Sequence, residues 1–175
     1  MKDTSTQGFD RTSAVVAAVV WLFTFVIYVM TQAATFSLWD CGEFVAVTTI
    51  LGIPHPPGMP LYVIVGRIFS LFPFFDDPGA RINLLSAFCN SIAVLFAYLI
   101  GVRILRKWFT GDNTTYSRVV IYLGAASGAL FLAFGRTAWT NAIEAEVYAM
   151  SMMLMMAILW LTLIYLDKRG TLSGD

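Results

Sequence analysis

Charged residues are scarce in this 175-residue chain, and their scarcity excludes several classes of protein. They make up 13% of the sequence, against roughly 25% in ordinary soluble domains, while 58% of the residues are hydrophobic. This composition excludes a disordered protein and a typical soluble enzyme domain. The 11 basic and 11 acidic residues leave no net charge, so no overall field attracts a nucleic acid. With a mean hydropathy of +0.74, the composition indicates a membrane protein.

The residue types that commonly bind metals are also scarce. His55 is the single histidine, which excludes a metal site built from histidines. Cys41 and Cys89 show neither metal-ligand spacing nor a disulfide framework, and we expect both to be small buried hydrophobic residues. We expect no cofactor and no metal site. Neighbouring carboxylates could hold a divalent ion, but nothing in the sequence requires one.

Four segments are long and apolar enough to cross a bilayer as helices. A spanning helix needs about 20 mostly apolar residues, because the hydrocarbon core is about 30 Å thick. The predicted spans are 14–34, 84–102, 119–138 and 149–166. The fold class is therefore predicted as all-α, with residues 1–175 forming a single transmembrane domain. The first span exceeds the apolar core of a signal peptide, so we expect an uncleaved anchor.

The basic residues predict how these spans are oriented. In a four-span arrangement, eight of them fall on one side: Lys2, Arg11, Arg103, Arg106, Lys107, Arg118, Lys168 and Arg169. Arg67, Arg81 and Arg136 fall on the other side. Because lysine and arginine favour the cytoplasmic side, both termini are predicted to be cytoplasmic and the loops 35–83 and 135–148 to face outward. The membrane is expected to be a bacterial inner membrane, or the ER membrane in a eukaryote.

The first outward loop carries two short apolar segments, 44–51 and 61–72, on either side of a proline-rich stretch. Each segment is too short to cross a bilayer, so we expect helices in the interface. The stretch 53–60 holds four of the six prolines and must be extended or turned. It also contains His55, which either binds a phosphate or sugar or merely stabilises a stiff connector.

Asp40 and Glu43 lie directly before the first of these segments, and their spacing allows two interpretations. On a helix, residues three apart share a face, so the pair could supply a general base and a second polar group for an acceptor hydroxyl. The same spacing fits a capping box, in which Asp40 is the N-cap and Glu43 bonds back to it. Trp39 lies directly before the pair.

The second outward loop contains another polar constellation. Arg136 offers a planar set of donors that suits phosphate. Trp139 and Tyr148 suit a sugar face or the interfacial aromatic belt equally well. Asn141 and Glu144 again have capping spacing. In the preceding span, the glycines of G-A-A-S-G at 124–128 predict a close helix–helix contact.

Taken together, three outward motifs resemble a known family. D-x-G-E-F begins at Asp40, H-P-P-G-x-P-L-Y begins at His55, and E-V-Y begins at Glu146, over about 110 residues in all. This series resembles the DUF2723 family of polytopic membrane proteins, which includes the TMEM260-type protein O-mannosyltransferases. The fold of that family is similar to the GT-C glycosyltransferases.

The resemblance implies a membrane enzyme that transfers a sugar from a polyprenyl-phosphate-linked donor to an outward-facing acceptor. The acceptor would be a Ser or Thr hydroxyl of a protein, or a glycan. By position in the family, Asp40 is implied as the acidic residue essential to catalysis, with Glu43 as its partner. The implied substrate-binding residues are Trp39, His55, Arg67, Arg136, Glu144, Glu146 and Tyr148. Because GT-C modules have seven or more spans, the chain is expected to be the N-terminal part of a larger module, completed by the rest of a longer chain or by a partner subunit, or else a natural short form.

Two other functions stay open at this stage. A non-catalytic assembly subunit would also suit four spans with short loops. A transporter fragment is less favoured, because transporters carry ionisable residues within their spans and these spans contain essentially none.

Overall fold

A computed structural model describes residues 10–109 and 114–172, with side chains through residue 169. Its described residues form seven helices and no strand, which confirms the all-α prediction. In chain order these are α1 Arg11–Thr31, α2 Cys41–Ile50, α3 Pro60–Leu71, α4 Pro78–Trp108, α5 Thr115–Phe134, α6 Arg136–Ile143 and α7 Val147–Leu172. Lys2, used to predict orientation, lies outside the described residues.

Four of the helices, α1, α4, α5 and α7, are long and apolar enough to span a membrane. This confirms an integral membrane protein with four candidate spans. Helix α4 is the centre of the bundle and packs against every other helix. In its most apolar 18-residue window, 61% of the residues are buried, against 11% in α7, which therefore lies at the periphery. The short apolar helices α2 and α3 lie in the connection between α1 and α4, as predicted.

Two helix ends differ from the ends of the predicted spans. Helix α4 begins at Pro78 rather than at 84, because the Asp77 side chain caps it by accepting from the Ala80 amide at 3.1 Å. The third span ends at Phe134 rather than at 138. Gly135 has an extended backbone (φ −62°, ψ 138°) that breaks the helix, and α6 then starts as a separate element.

A buried hydrogen-bond network joins four helices near the end of the bundle that carries the α1–α4 and α5–α7 connections. The Tyr28 hydroxyl on α1 donates to the carbonyl of Ala133 on α5 at 2.9 Å. The Asn90 amide on α4 donates to that hydroxyl at 3.1 Å and to the carbonyl of Ala138 on α6 at 3.2 Å. The Trp139 ring packs edge-on against Tyr28. Short helix α6 is thus fixed to the spans beside it.

The predicted glycine contact is only partly correct. A Cβ added to Gly124 would lie 3.3 Å from Leu105, but one added to Gly128 would meet no described atom within 4 Å. The close approach between α4 and α5 uses Gly101 instead, whose added Cβ would lie 3.2 Å from that of Ala125.

Basic residues gather at the opposite end of the bundle, where two carboxylates pair with them. Asp167 on α7 accepts from Arg103 and Lys107 on α4, at 2.6 and 2.7 Å. Asp10, which caps α1, forms an ion pair with Arg118 on α5. This end lies opposite the α1–α4 and α5–α7 connections. Which end faces the cytoplasm stays a prediction from the basic residues.

Candidate active site

The connections α1–α4 and α5–α7, distant in sequence, meet at one end of the bundle. A backbone hydrogen bond joins them, from the Ala33 amide to the Ile143 carbonyl at 3.0 Å. The Cys41 thiol donates to Glu146 at 3.5 Å and approaches Glu144 at 3.9 Å. These contacts gather what we call the acidic cluster, namely Asp40, Glu43, Glu144 and Glu146 together with His55.

Glu43 binds His55 through both of its carboxylate oxygens. Its Oε1 accepts from the His55 backbone amide at 2.7 Å, and its Oε2 accepts from the ring Nδ1 at 2.7 Å. These hydrogen bonds lower the pKa of Glu43 below its usual range and raise the pKa of His55 above its usual range. The pair therefore favours the ionised carboxylate and the protonated imidazole.

The capping-box interpretation of Asp40 and Glu43 was wrong. Asp40 precedes α2, but its side chain makes no capping hydrogen bond, and Glu43 is engaged with His55 instead. The Asp40 side chain is exposed and accepts no hydrogen bond within residues 10–109 and 114–169. The second capping interpretation was also wrong, because Asn141 lies inside α6 and Glu144 follows the end of that helix.

Left-handed backbone conformations position α2 and the histidine loop. Trp39 (φ 66°) precedes α2, and Leu51 (φ 56°) ends it with an amide that donates to the Val47 carbonyl. Met59 (φ 37°) precedes α3. Non-glycine residues rarely adopt this conformation, so the surrounding structure must hold them there. Between the two helices, the Gly58 amide donates to the His55 carbonyl at 3.0 Å and closes the proline-rich loop into a turn.

Glu146 is a partly buried member of the acidic cluster. Burial raises its pKa, and the neighbouring carboxylates of Asp40 and Glu144 raise it further. Its backbone is held by Ser86 on α4, whose hydroxyl accepts from the Glu146 amide at 3.4 Å. Burial and the Glu146 charge also raise the pKa of Cys41 to about 12, so this thiol is neutral at pH 7.

Beneath the cluster lies an aromatic floor that the site prediction did not include. The buried Phe44 ring lies 5.9 Å from the His55 ring and 5.4 Å from the Tyr62 ring. The Tyr62 hydroxyl is buried next to the Ser86 side chain and forms no well-aligned hydrogen bond among the described residues. Phe44 and Tyr62 belong to the sequence motifs that begin at Asp40 and His55, and this membership could have identified them as site residues. Ser86 had no comparable signal, since it lies within a predicted span.

Several predicted site residues lie outside the cluster. The Arg67 guanidinium donates to the Thr49 carbonyl and so joins α3 to α2. Trp39 is 93% exposed, and Tyr148 is also exposed; each adjoins the cluster in sequence. Arg136 is exposed at the start of α6, at the opposite end of that helix from Glu144.

Arg136 borders a groove of about 330 Å³ between α5, α6 and α7. The groove walls are mainly apolar, with a few polar groups from α6. The lining includes Phe131, Leu132, Asn141 and Met152. A cation at the rim of an apolar groove can bind an anionic headgroup whose tail is apolar.

Asp40, Glu43 and His55 each offer one ligand atom, and these three atoms lie within 4.8 Å of one another. The three could share a cation only by giving up the Glu43–His55 hydrogen bond, which already explains their close approach. We therefore do not assign them as metal ligands, and the expectation that no metal is required stays a prediction.

The sequence is similar to known proteins over most of its length. Residues 40–174 match the family described as the protein O-mannosyl-transferase TMEM260 N-terminal domain. A Dictyostelium discoideum protein named protein O-mannosyl-transferase tmem260 is 31% identical over 158 residues, which cover 88% of this chain and 18% of the relative. The Mus musculus protein O-mannosyl-transferase TMEM260 is 29% identical over 139 residues, which cover 79% of this chain and 17% of the relative. The chain thus spans less than a fifth of these relatives, and no solved structure matches it.

Proposed function

The chain belongs to the family of the protein O-mannosyl-transferase TMEM260 N-terminal domain, and from this membership we propose that it forms the acidic part of a membrane glycosyltransferase active site. The enzyme transfers a sugar, mannose by analogy with the names of the relatives, to a Ser or Thr hydroxyl of a protein. The reaction takes place on the extracytoplasmic side, at the end of the bundle that carries the acidic cluster.

The convergence of the acidic cluster from two separate connections is the observation that supports this proposal. Transfer to a hydroxyl needs a proton acceptor, and it needs negative charge beside a sugar carbon that becomes oxocarbenium-like. Asp40 suits the second role because its carboxylate is exposed and accepts no hydrogen bond from the described residues. Glu144 and Glu146 suit hydrogen bonds to sugar or acceptor hydroxyls, and the exposed Trp39 and Tyr148 rings suit contact with a sugar face.

The donor in this proposal is a sugar linked to a polyprenyl phosphate. Arg136 binds the phosphate, and the groove beside it accommodates the first part of the apolar chain. Helix α6 separates Arg136 from Glu144 by eight residues, about 12 Å at 1.5 Å per residue. An extended arginine side chain and a sugar phosphate can together bridge that length. Arg67 has no part in this scheme, because it is bound to the Thr49 carbonyl.

The test compares Asp40→Asn with Asp76→Asn. Asp76 is an exposed acid in the same connection but outside the acidic cluster, so it is a matched control. Membranes that contain the protein receive radiolabelled polyprenyl-phosphate mannose and a Ser/Thr-containing acceptor peptide, and transfer to the peptide is counted. We expect Asp40→Asn to reduce transfer by about 100-fold or more, in the range of general acid–base and electrostatic effects.

Full transfer by Asp40→Asn, with normal insertion, would refute the role of Asp40. Equal use of a nucleotide-activated mannose would refute the lipid-linked donor. If Asp76→Asn also lowers transfer, the loss of transfer in Asp40→Asn would not be specific to the acidic cluster.

A further inference from the structure

We propose that His55 accepts the proton of the acceptor hydroxyl and that Glu43 is the residue that positions it for this task. This inference rests on the proposed function and deepens it. The proton acceptor in this proposal is the His55 imidazole, and not Asp40, the residue that the family resemblance implies for catalysis. The observation that carries it is the two-point contact between the Glu43 carboxylate and a single residue.

The contact determines which ring nitrogen carries a proton. An ionised carboxylate can only accept hydrogen bonds, so the Nδ1 atom that lies 2.7 Å from Glu43 Oε2 must be the donor. In the neutral ring, the lone pair is then on Nε2. The second bond, from the His55 backbone amide to Oε1 at 2.7 Å, prevents the carboxylate from rotating away.

The rest of the surroundings hold the ring in place and leave Nε2 accessible. The Phe44 ring packs 5.9 Å from the imidazole, and the loop carbonyl of His55 is held by the Gly58 amide. Within the described part of the chain, Nε2 makes no hydrogen bond, and 43% of the His55 side chain is exposed. An acceptor hydroxyl can therefore reach this nitrogen.

The charges that face the ring favour proton uptake over phosphate binding. Glu43 and Asp40 face it from α2 and the residue before it, and Glu146 faces it from the α6–α7 connection. All three carboxylates stabilise an imidazolium, which is the product of proton transfer, and they raise the pKa of His55. The same charges repel a phosphate. We therefore place the donor phosphate at Arg136 and the proton at His55.

In the proposed step, the acceptor oxygen forms a bond to the anomeric carbon of the sugar. The bond from that carbon to the phosphate oxygen breaks, and its electron pair leaves with the phosphate. The hydroxyl proton moves to His55 Nε2, and Nδ1–H stays hydrogen-bonded to Glu43. Asp40 remains ionised beside the developing positive charge on the sugar.

The first test reads the protonation of the ring directly and needs no transfer activity. His55 is the single histidine, so ¹⁵N-histidine labelling of the chain in lipid nanodiscs gives one imidazole spectrum. At a pH where the ring is neutral, we expect the Nδ1–H form, whereas histidine free in water prefers Nε2–H. Glu43→Gln should shift the ring toward Nε2–H, because the glutamine amide can donate to Nδ1.

Glu144→Gln is the matched control, because it removes a carboxylate from the same cluster without touching the contact with His55. It should keep the Nδ1–H form. An Nε2–H ring in the unmodified chain, or an unchanged spectrum in Glu43→Gln, would overturn the positioning role even if Asp40→Asn abolishes transfer. The proposed function and this inference can thus fail separately.

The second test is the pH profile of mannose transfer. A proton acceptor must be neutral, so transfer should rise with pH through a midpoint above 6.5, the ordinary pKa of histidine, and Glu43→Gln should move that midpoint to lower pH. His55→Gln should lower transfer about 100-fold or more and remove the midpoint. Transfer that stays constant from pH 6 to pH 8 would overturn the proposal, because a histidine base changes its protonation within that range.

Discussion

Removing the Tyr28 hydroxyl should weaken the attachment of α6 to the spanning helices. Tyr28→Phe keeps the ring and its edge-on contact with Trp139, but it deletes the donor to the Ala133 carbonyl and the acceptor for the Asn90 amide. Ala133 lies in the last turn of α5, where helical carbonyls have no partner within the helix. The hydroxyl therefore satisfies an atom that would otherwise be buried without a hydrogen bond.

The magnitude follows from the two lost hydrogen bonds. Side-chain hydrogen bonds between membrane helices contribute about 0.6 kcal/mol on average and up to about 1.7 kcal/mol each. Both bonds of Tyr28 are buried, and the Asn90 amide loses one of its two partners. We expect Tyr28→Phe to lower the free energy of unfolding by about 1–3 kcal/mol.

Tyr165→Phe provides the control for this measurement. Tyr165 lies on α7, is 61% exposed, and its hydroxyl makes no hydrogen bond within the described residues. Reversible unfolding of the two variants in mixed micelles gives the difference in free energy directly. Equal stabilities for Tyr28→Phe and Tyr165→Phe would refute the idea that the buried network fixes α6.

Two further predictions concern the packing and the electrostatics around α2. Gly66→Ala should destabilise the chain by about 1–3 kcal/mol, because its Cβ would lie 2.4 Å from the stiff side chain of buried Thr48. Gly128→Ala is the control, because its Cβ would meet no described atom within 4 Å, and it should not destabilise the chain. Equal thermal unfolding temperatures for the two variants would contradict the close packing of α3 on α2. Cys41 is buried and its pKa is raised to about 12, so its alkylation by iodoacetamide should stay slow at pH 7 and become faster as the pH rises. Glu146→Gln should accelerate the alkylation at a given pH, because it lowers the pKa of Cys41. Fast alkylation of the unmodified chain at pH 8 would contradict a raised pKa of Cys41.

The four spans could be predicted because each is a long apolar run, but their ends could not. Polar residues at the start of α4 interrupt the apolar pattern, so the predicted span began too late. In the structure, Arg81 donates to the Phe75 carbonyl at 2.6 Å, and Asn83 donates to the carbonyls of Ala33 and Thr35. Those carbonyls belong to distant or irregular segments, and hydropathy along the chain carries no information about them.

The candidate site was chosen from motifs, and the family resemblance that those motifs carry is confirmed by the match over residues 40–174. The partner of Glu43 was not predictable from local spacing. A capping box and a bond to His55 use the same carboxylate, and the choice depends on how the proline-rich loop folds back across α2. The contact of Cys41 with Glu146 could not be predicted from local spacing either, because it joins segments more than a hundred residues apart.

The bulky residues in left-handed conformations around α2 imply a conflict between heat resistance and precision. Trp39, Leu51 and Met59 each hold a backbone geometry that costs an L-residue about 1–2 kcal/mol and that glycine adopts without steric strain. A laboratory selection for survival at high temperature would therefore favour glycine at these positions. A selection for turnover would retain the bulky residues. Glycine would make the ends of α2 more flexible, and the Glu43 carboxylate that contacts His55 would then be less precisely positioned.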